Sequence, residues 1–376
     1  MDKLGHYLFL GVDYLLSFIL LGAGQLGALM PRLGETEPVI PDTPGIRMVE
    51  QMGPGWNLGN TLCPFSDGFI GPEAETSWGN PRTTPEMLAM VKAAGFTCVR
   101  IPATWSNHLI DDNYTIDPLW IGRVQEIVDY AYNLGLYVIL NMHHDDYCGG
   151  YIPDKANEAQ TTERYIAVWA QIAERFKNYG ERLLFEAINE PRVEGSLLEW
   201  IGGTHSQRQV VNRLHAAFVK IVRASGGNNA ERWLLLPTYG ASSLPYVMKA
   251  LRLPEGDERL IVSVHAYVPH DFAMNTPEAA TYGDKEKKEL EKTLGRIYDR
   301  FIKKGIPVYL DEFGAVDKGN MEDRARYFTD YTAIAARYGM RCAVWDDGGD
   351  FRLLDRSNLR WLEPEVVRAI MGVEVF

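Results

Sequence analysis

Cysteine is scarce in this chain, basic charge is outweighed, and internal repetition is absent. The 376 residues contain four cysteines, Cys63, Cys98, Cys148 and Cys342, none at the spacing of a metal or redox motif. That excludes a disulfide-stapled scaffold or a cysteine-built zinc module. Cys98 and Cys342 lie inside apolar runs, as buried free thiols do; Cys63 and Cys148 lie just beyond such runs and are the one pair placed to approach each other. Lys and Arg number 38 against 50 Asp and Glu, a formal net charge of −12 with a sequence pI near 5.2. Such a balance argues against nucleic acid as a partner and leaves a neutral polymer unopposed. No second domain or accessory module is visible.

The chain is 46% hydrophobic and 23% charged, with nine Trp and 19 Tyr, which suits a globular protein with one large core. Residues 1–30 differ from the rest: Tyr7 to Met30 is largely apolar around Leu15-Leu16-Ser17-Phe18-Ile19-Leu20-Leu21, with Lys3 before it and Asp13 within it. It reads as a secretory signal or uncleaved anchor, or else as an upstream translated segment. Residues 31–44, with Pro31, Pro38, Pro41 and Pro44, read as a linker, and 45–376 as the folded domain.

From Gly55 onward, short apolar runs alternate with longer amphipathic ones. The strand runs are Trp56–Asn60, Thr97–Pro102, Tyr137–His144, Leu183–Glu190, Trp233–Thr238, Leu260–Tyr267, Pro307–Glu312 and Cys342–Asp346. Helical spacing falls between them, at Leu119 to Leu134, Thr161 to Tyr179, Gln207 to Ala224, Lys285 to Lys304 and Asp323 to Tyr338; Thr84-Pro85-Glu86 opens another helix with a cap and a first-turn proline. Gly95, Gly135, Gly305 and Gly339 stand where a helix ends and the next strand approaches. Eight such units predict an α/β fold, a single (β/α)8 barrel with a parallel sheet buried on both faces.

Polar residues gather at the carboxyl ends of the strand runs: Asn57 and Asn60, Arg100, His143 and His144, Asn189 and Glu190, His265 and Tyr267, Glu312, Trp345 and Asp346. Barrel active sites form at that face. Two of these residues are glutamates that each follow a buried strand, in Asn189-Glu190-Pro191 and Asp311-Glu312-Phe313-Gly314. Two carboxyls flanking one bond suit glycoside hydrolysis, in which one protonates the leaving oxygen and the other attacks or activates water. The run His143-His144-Asp145-Asp146 leaves a metal site open as another reading.

These motifs resemble glycoside hydrolase family 5. The likeness runs over residues 45–370 through Trp56-Asn57-Leu58-Gly59-Asn60-Thr61, Glu75-Thr76-Ser77-Trp78-Gly79-Asn80-Pro81, Val99-Arg100-Ile101-Pro102, Asn141-Met142-His143-His144, Leu184-Phe185-Glu186-Ala187-Ile188-Asn189-Glu190-Pro191 and Val264-His265-Ala266-Tyr267. Arg223-Ala224-Ser225-Gly226-Gly227-Asn228-Asn229 is similar to subfamily 4, mainly endo-β-1,4-glucanases.

The resemblance implies Glu190 as acid/base and Glu312 as nucleophile, with no metal and no cofactor. It also implies that Arg100 holds the nucleophile ionised and oriented, Tyr267 hydrogen-bonds it, His265 lies near the acid/base, Asn189 bonds a sugar hydroxyl, and His143 and Trp345 line and floor the sugar site, with Asn57 and His144 as further substrate-binding residues and Trp78, Tyr147 and Tyr151 either stacking on sugar or packing. The acid/base is expected to have a raised pKa. The last strand reads Val344-Trp345-Asp346-Asp347-Gly348 where relatives carry Trp-Trp-Asp-Asn-Gly, which places Val344 in the barrel wall and a charge near the cleft. The expected partner is a β-glucan polymer, met outside the cell by a secreted monomer whose only membrane contact would come through residues 1–30. The same machinery tuned to mannan or xylan, a non-catalytic sugar-binding barrel and a metal-dependent hydrolase are the competing readings.

Overall fold

Among the described residues, eight apolar runs form strands because each is buried on both faces. They are β1 (Gly55–Asn57), β2 (Cys98–Ile101), β3 (Tyr137–Asn141), β4 (Leu183–Glu186), β5 (Leu234–Ser242), β6 (Leu260–His265), β7 (Val308–Phe313) and β8 (Arg341–Val344). All neighbours pair in parallel, and β8 pairs with β1 to close the barrel. The computed structural model describes residues 37–65, 71–149, 151–274 and 279–372. The apolar segment 1–30 and residues 31–36 lie outside them; no described helix is long and apolar enough to cross a membrane.

Along each strand the two side-chain sets separate, as the two-residue period requires. Val99 and Ile101, Val138 and Leu140, Leu183 and Phe185, Val262 and Val264 belong to the core shared with the outer helices, as does Val344, which therefore sits in the barrel wall as expected. Cys98, Ile139, Leu184, Leu235, Ile261, Tyr309 and Ala343 instead form the interior plug. Met48, Val49 and Met52 close that plug from below; they belong to α1 (Pro44–Met52), capped by Thr43. Just before this helix, the carbonyl of Val39 accepts from the Tyr298 hydroxyl, so the end of the 31–44 stretch lies against the barrel.

The outer layer is α2 (Pro85–Ala93), α3 (Pro118–Asn133), α4 (Glu158–Phe176), α5 (His205–Ala224), α6 (Pro245–Ala250), α7 (His270–Ala273), α8 (Asp284–Arg300), α9 (Met321–Arg337) and α10 (Pro364–Ile370). Gly95, Gly135, Gly305 and Gly339 all have positive φ, the conformation that glycine adopts without Cβ strain. No disulfide joins any of the four cysteines, so Cys63 and Cys148 do not pair.

Several strands are shorter than their apolar runs. β3 stops at Asn141 and β4 at Glu186, the last residues that pair with each other in the regular register. The extensions stay tied by single bonds: the Asn189 N–H donates to Met142 O at 2.8 Å and the His143 N–H to Ala103 O at 2.8 Å. A two-stranded hairpin after β8, β9 (Leu354–Asp355) with β10 (Arg360–Trp361), was not legible in the sequence. Its turn sends Arg356 back to Gly59 O and Asp346 O, pinning the seam where the barrel closes.

Candidate active site

Directly above the apolar plug lies a polar layer. Asn57, Arg100, Asn141, Glu186, Ser263 and Asp311 come from six strands, and all are fully buried. Arg100 organises it. Its Nε and Nη2 grip Glu186 at 2.6 and 2.7 Å, Nη1 donates to Glu312 Oε1 at 2.6 Å and to Asn57 Oδ1 at 3.0 Å, and Nη2 also donates to Asn189 Oδ1 at 2.8 Å. A guanidinium suits this work because its planar fork serves several acceptors at once. Asn57 Nδ2 is spent on the carbonyls of Asp311 and Val344, at 2.9 and 3.2 Å.

Arg100 therefore holds Glu312, as the resemblance implied, and neither it nor Asn57 offers a surface for direct contact with a sugar. With no exposed surface, they act through the groups they hold. Asn189 differs: Arg100 fixes its oxygen, which leaves Nδ2 without an acceptor among the described residues and available to a ligand hydroxyl.

Strand β7 carries one residue more than both its neighbours. Ser263 pairs with Tyr309 but His265 with Glu312, and Leu310 pairs with Cys342 but Phe313 with Val344. Such a bulge re-aims a side chain. Here it lets the consecutive residues Asp311 and Glu312 both meet Arg100, the former at 3.8 Å. Glu312 Oε2 also accepts from the Tyr267 hydroxyl at 3.0 Å.

Glu190 faces it, held by His265 Nδ1 at 2.9 Å, and carboxylate oxygens of Glu190 and Glu312 lie within 4.8 Å of each other. Burial pushes Glu312 above the ordinary carboxylate value against the pull of His265 and Arg100. Burial also acts to raise Glu190, but His265 and Arg192 outweigh it and hold Glu190 below the ordinary value, opposite to the expected raised pKa. The reason is His265: burial disfavours its charge, yet Glu312, Glu190 and Asp311 carry it up to about 9. His265 is thus the hydrogen-bond partner that draws Glu190 towards its charged form.

His143 is buried, its ring stacked on Trp345 at 5.7 Å with 8° between planes. Asn141 sets its tautomer. Asn141 Oδ1 accepts from the Ala103 amide, so Nδ2 is the donor to His143 Nδ1 at 3.1 Å, and the ring keeps its hydrogen on Nε2. Burial holds it well below the ordinary imidazole value and hence neutral. Trp345 fits closely because Gly59 lies against it: a Cβ there would meet the indole at 2.9 Å. His144 joins an aromatic wall with Phe65, Trp78 and Tyr147, in which Phe65 and Tyr147 stack at 4.6 Å and Trp78 is 39% exposed. Tyr151 is buried, so of its two readings packing is the one the structure bears out.

The acidic half of His143-His144-Asp145-Asp146 points elsewhere. Asp145 accepts from the Trp105 and Ser106 amides at 3.0 and 2.6 Å, and Asp146 pairs with Arg192 at 2.7 Å. Cys63 lies near the two imidazoles instead, but burial pushes its thiol up to about 12. With His143 presenting N–H rather than a lone pair, this trio does not fit a cation.

Sequence reasoning missed Glu186, Asp311 and Arg192. The first two looked like parts of apolar strands, and a charge inside a strand otherwise too apolar for it was the available signal. Arg192 is buried, touches Asp146, Glu199 and the Tyr147 hydroxyl, and lies 3.8 Å from Glu190 and under the exposed Trp200.

A model of the cellulase family, glycosyl hydrolase family 5, matches residues 64–350. The chain belongs to that family. Among curated family 5 relatives, it is 44% identical to endoglucanase 1 of Ruminococcus albus over 328 residues, 85% of this chain and 79% of that one. It is 43% identical to the cellulase/esterase CelE of Acetivibrio thermocellus, where 89% of this chain spans 41% of a longer protein. A solved family 5 structure, the GH5-4 broad specificity endoglucanase of Ruminococcus champanellensis with bound cellotriose, superposes with a TM-score of 0.85 at 39% identity, covering 88% of this chain and 99% of that one.

Proposed function

We propose that this family 5 protein is a retaining endo-β-1,4-glucanase acting on amorphous cellulose, mixed-linkage β-glucan and xyloglucan. The observation that carries this is the spacing of Glu190 and Glu312, whose oxygens lie within 4.8 Å, with Arg100 and Tyr267 on one and His265 on the other. Retaining enzymes hold their carboxyls about 5–5.5 Å apart, whereas inverting ones leave room for water at roughly 6.5–9.5 Å.

Glu312 forms a bond to the anomeric carbon as the glycosidic C–O bond breaks, and the departing oxygen takes the proton delivered through Glu190. Water then attacks the glycosyl-enzyme, its proton passes to Glu190, and the bond to Glu312 breaks. In this reading Asn189 Nδ2, left over once Arg100 takes its oxygen, bonds the neighbouring sugar hydroxyl, His143 Nε2–H donates to the ring and Trp345 supports its face. In the same reading Trp78, packed against Phe65 and His144 and partly exposed, offers a further face for sugar to stack on. The reaction asks for no cofactor. Its polymer substrates lie outside cells, so we place the protein there as a monomer, with residues 1–30 as leader or anchor.

The test is reducing-end release by the protein and its Glu312→Gln variant on carboxymethyl-cellulose, barley β-glucan, xyloglucan, xylan and mannan. Activity on the glucans that falls by about 10³-fold or more in the variant is expected, as for a lost nucleophile. Activity confined to xylan or mannan would overturn the substrate, and activity that survives the substitution would overturn the mechanism.

A further inference from the structure

The two-glutamate scheme leaves a third carboxylate unused. Asp311 precedes Glu312 in β7 and is fully buried. The Ser263 hydroxyl donates to its Oδ1 at 2.7 Å. The same oxygen stands 3.6 Å from His265 Nε2. His265 Nε2 and Asp311 Oδ2 are both buried without a hydrogen-bond partner among the described residues. On its other edge, His265 Nδ1 meets Glu190 at 2.9 Å. The groups line up as carboxylate, imidazole, carboxylate, and the bulge in β7 is what admits Asp311 to the line.

We propose that Asp311 is a positioning residue for the acid/base: it keeps a proton on His265 Nε2, so that Nδ1 exchanges its proton with Glu190. The inference rests on Glu190 being the acid/base.

The physical reason is the choice of tautomer. A lone pair on Nε2 would face the Asp311 carboxylate inside a dry barrel, where like charge density is costly, whereas an N–H there is attracted. With Nε2–H held, one proton remains between Nδ1 and Glu190 Oε1. It sits either on Glu190, ready to be given to the leaving oxygen, or on the imidazole, ready to reload Glu190 across one hydrogen bond. With the opposite tautomer, Nδ1–H donates permanently and Glu190 stays ionised, fit as a base and unfit as an acid. The logic is that of the aspartate in a hydrolase triad, which sets a histidine tautomer without itself reacting. Among the described residues, the other charged or titratable groups near Asp311 are Arg100 and Cys98 from β2, Glu186 from β4, and Glu312 and Tyr309 from β7, with Tyr331 from α9; of these, Arg100 is the cation.

Asp311→Asn tests this. Arg100 draws the new amide oxygen and turns its NH2 towards His265, which then presents a lone pair on Nε2 and a fixed N–H to Glu190. The readout is kcat/KM on two aryl β-cellobiosides. A 2,4-dinitrophenyl group departs without a proton, whereas a phenyl group needs one.

We expect phenyl β-cellobioside and barley β-glucan to lose about 10²-fold, the lower range for general-acid catalysis, while the dinitrophenyl substrate stays within about threefold. Ser263→Ala, which removes the hydrogen bond orienting Asp311 and adds no donor, should show the same split more weakly and decides the matter should Asp311→Asn not fold. Equal losses on both substrates, or none, in these variants overturn the inference. Glu190→Gln is the control. If it shows the split and the other two do not, only the role of Asp311 falls; if it shows none, the assignment of Glu190 falls and takes this inference with it.

Discussion

Replacing Arg100 by Met should damage stability in a manner that depends on pH. Arg100 is fully buried and bonds Glu186 twice, Glu312, Asn57 and Asn189, with Asp311 at 3.8 Å. Methionine fills most of the volume but leaves three buried carboxylates without their cation. Breaking a buried pair by removing one partner costs roughly 3–5 kcal/mol.

The pH term follows from the directions already present. Burial pushes Asp311 up to about 7 and raises Glu312 even while Arg100 opposes both shifts. Without Arg100 both rise further. A carboxyl whose folded pKa lies above its unfolded value favours the fold below that unfolded value and loses the advantage as pH rises through the folded one. Each further unit is worth about 1.4 kcal/mol. Urea unfolding followed by fluorescence of the nine tryptophans should therefore show a loss of about 3–5 kcal/mol at pH 8 and a clearly smaller one at pH 5. Adding Glu186→Gln should restore part of the loss at pH 8, since it removes one uncompensated charge. A loss under about 1 kcal/mol at pH 8, or one that is the same at both pH values, would refute the view that Arg100 works mainly as a counter-charge.

Two further outcomes follow from the same geometry. His265→Gln removes the group carried up to about 9, which stays protonated below that pH and loses its proton above it; the alkaline limb of the kcat/KM profile on barley β-glucan should move to lower pH, and an unmoved limb would detach His265 from the acid. Glu75 is fully buried, pairs with Arg123 through both oxygens at 2.8 and 2.9 Å, and accepts from the Thr83 amide at 2.6 Å. Glu75→Gln should cost about 3–5 kcal/mol in denaturant while leaving kcat/KM within about twofold, and a large loss of activity without loss of stability would place Glu75 in the site.

The barrel was legible because parallel strands buried on both faces must be continuously apolar, as Val99, Ile101, Val138 and Leu140 are. Helix ends were legible because glycine alone takes a positive φ without strain, as Gly135 and Gly305 do. The site was legible where a polar residue ends such a run. What hid were the groups that pair inside it. Glu186 in Leu184-Phe185-Glu186-Ala187 looks like a flaw in a strand until Arg100, 86 residues earlier, is seen to grip it. Arg192 reads as an ordinary loop arginine until Asp146 and Trp200 close on it.

By itself, then, the sequence determined the alternation of eight units, the face on which the polar residues gather and the two glutamates they present, because periodicity, apolar runs and glycine stops are local properties. Tertiary structure alone decided that β7 carries an extra residue, that Arg100 answers three carboxylates, and that the carboxylates around His265 carry it up to about 9. Those outcomes depend on which distant groups share a desolvated space, and charge in such a space is set by its neighbours rather than by its own residue type.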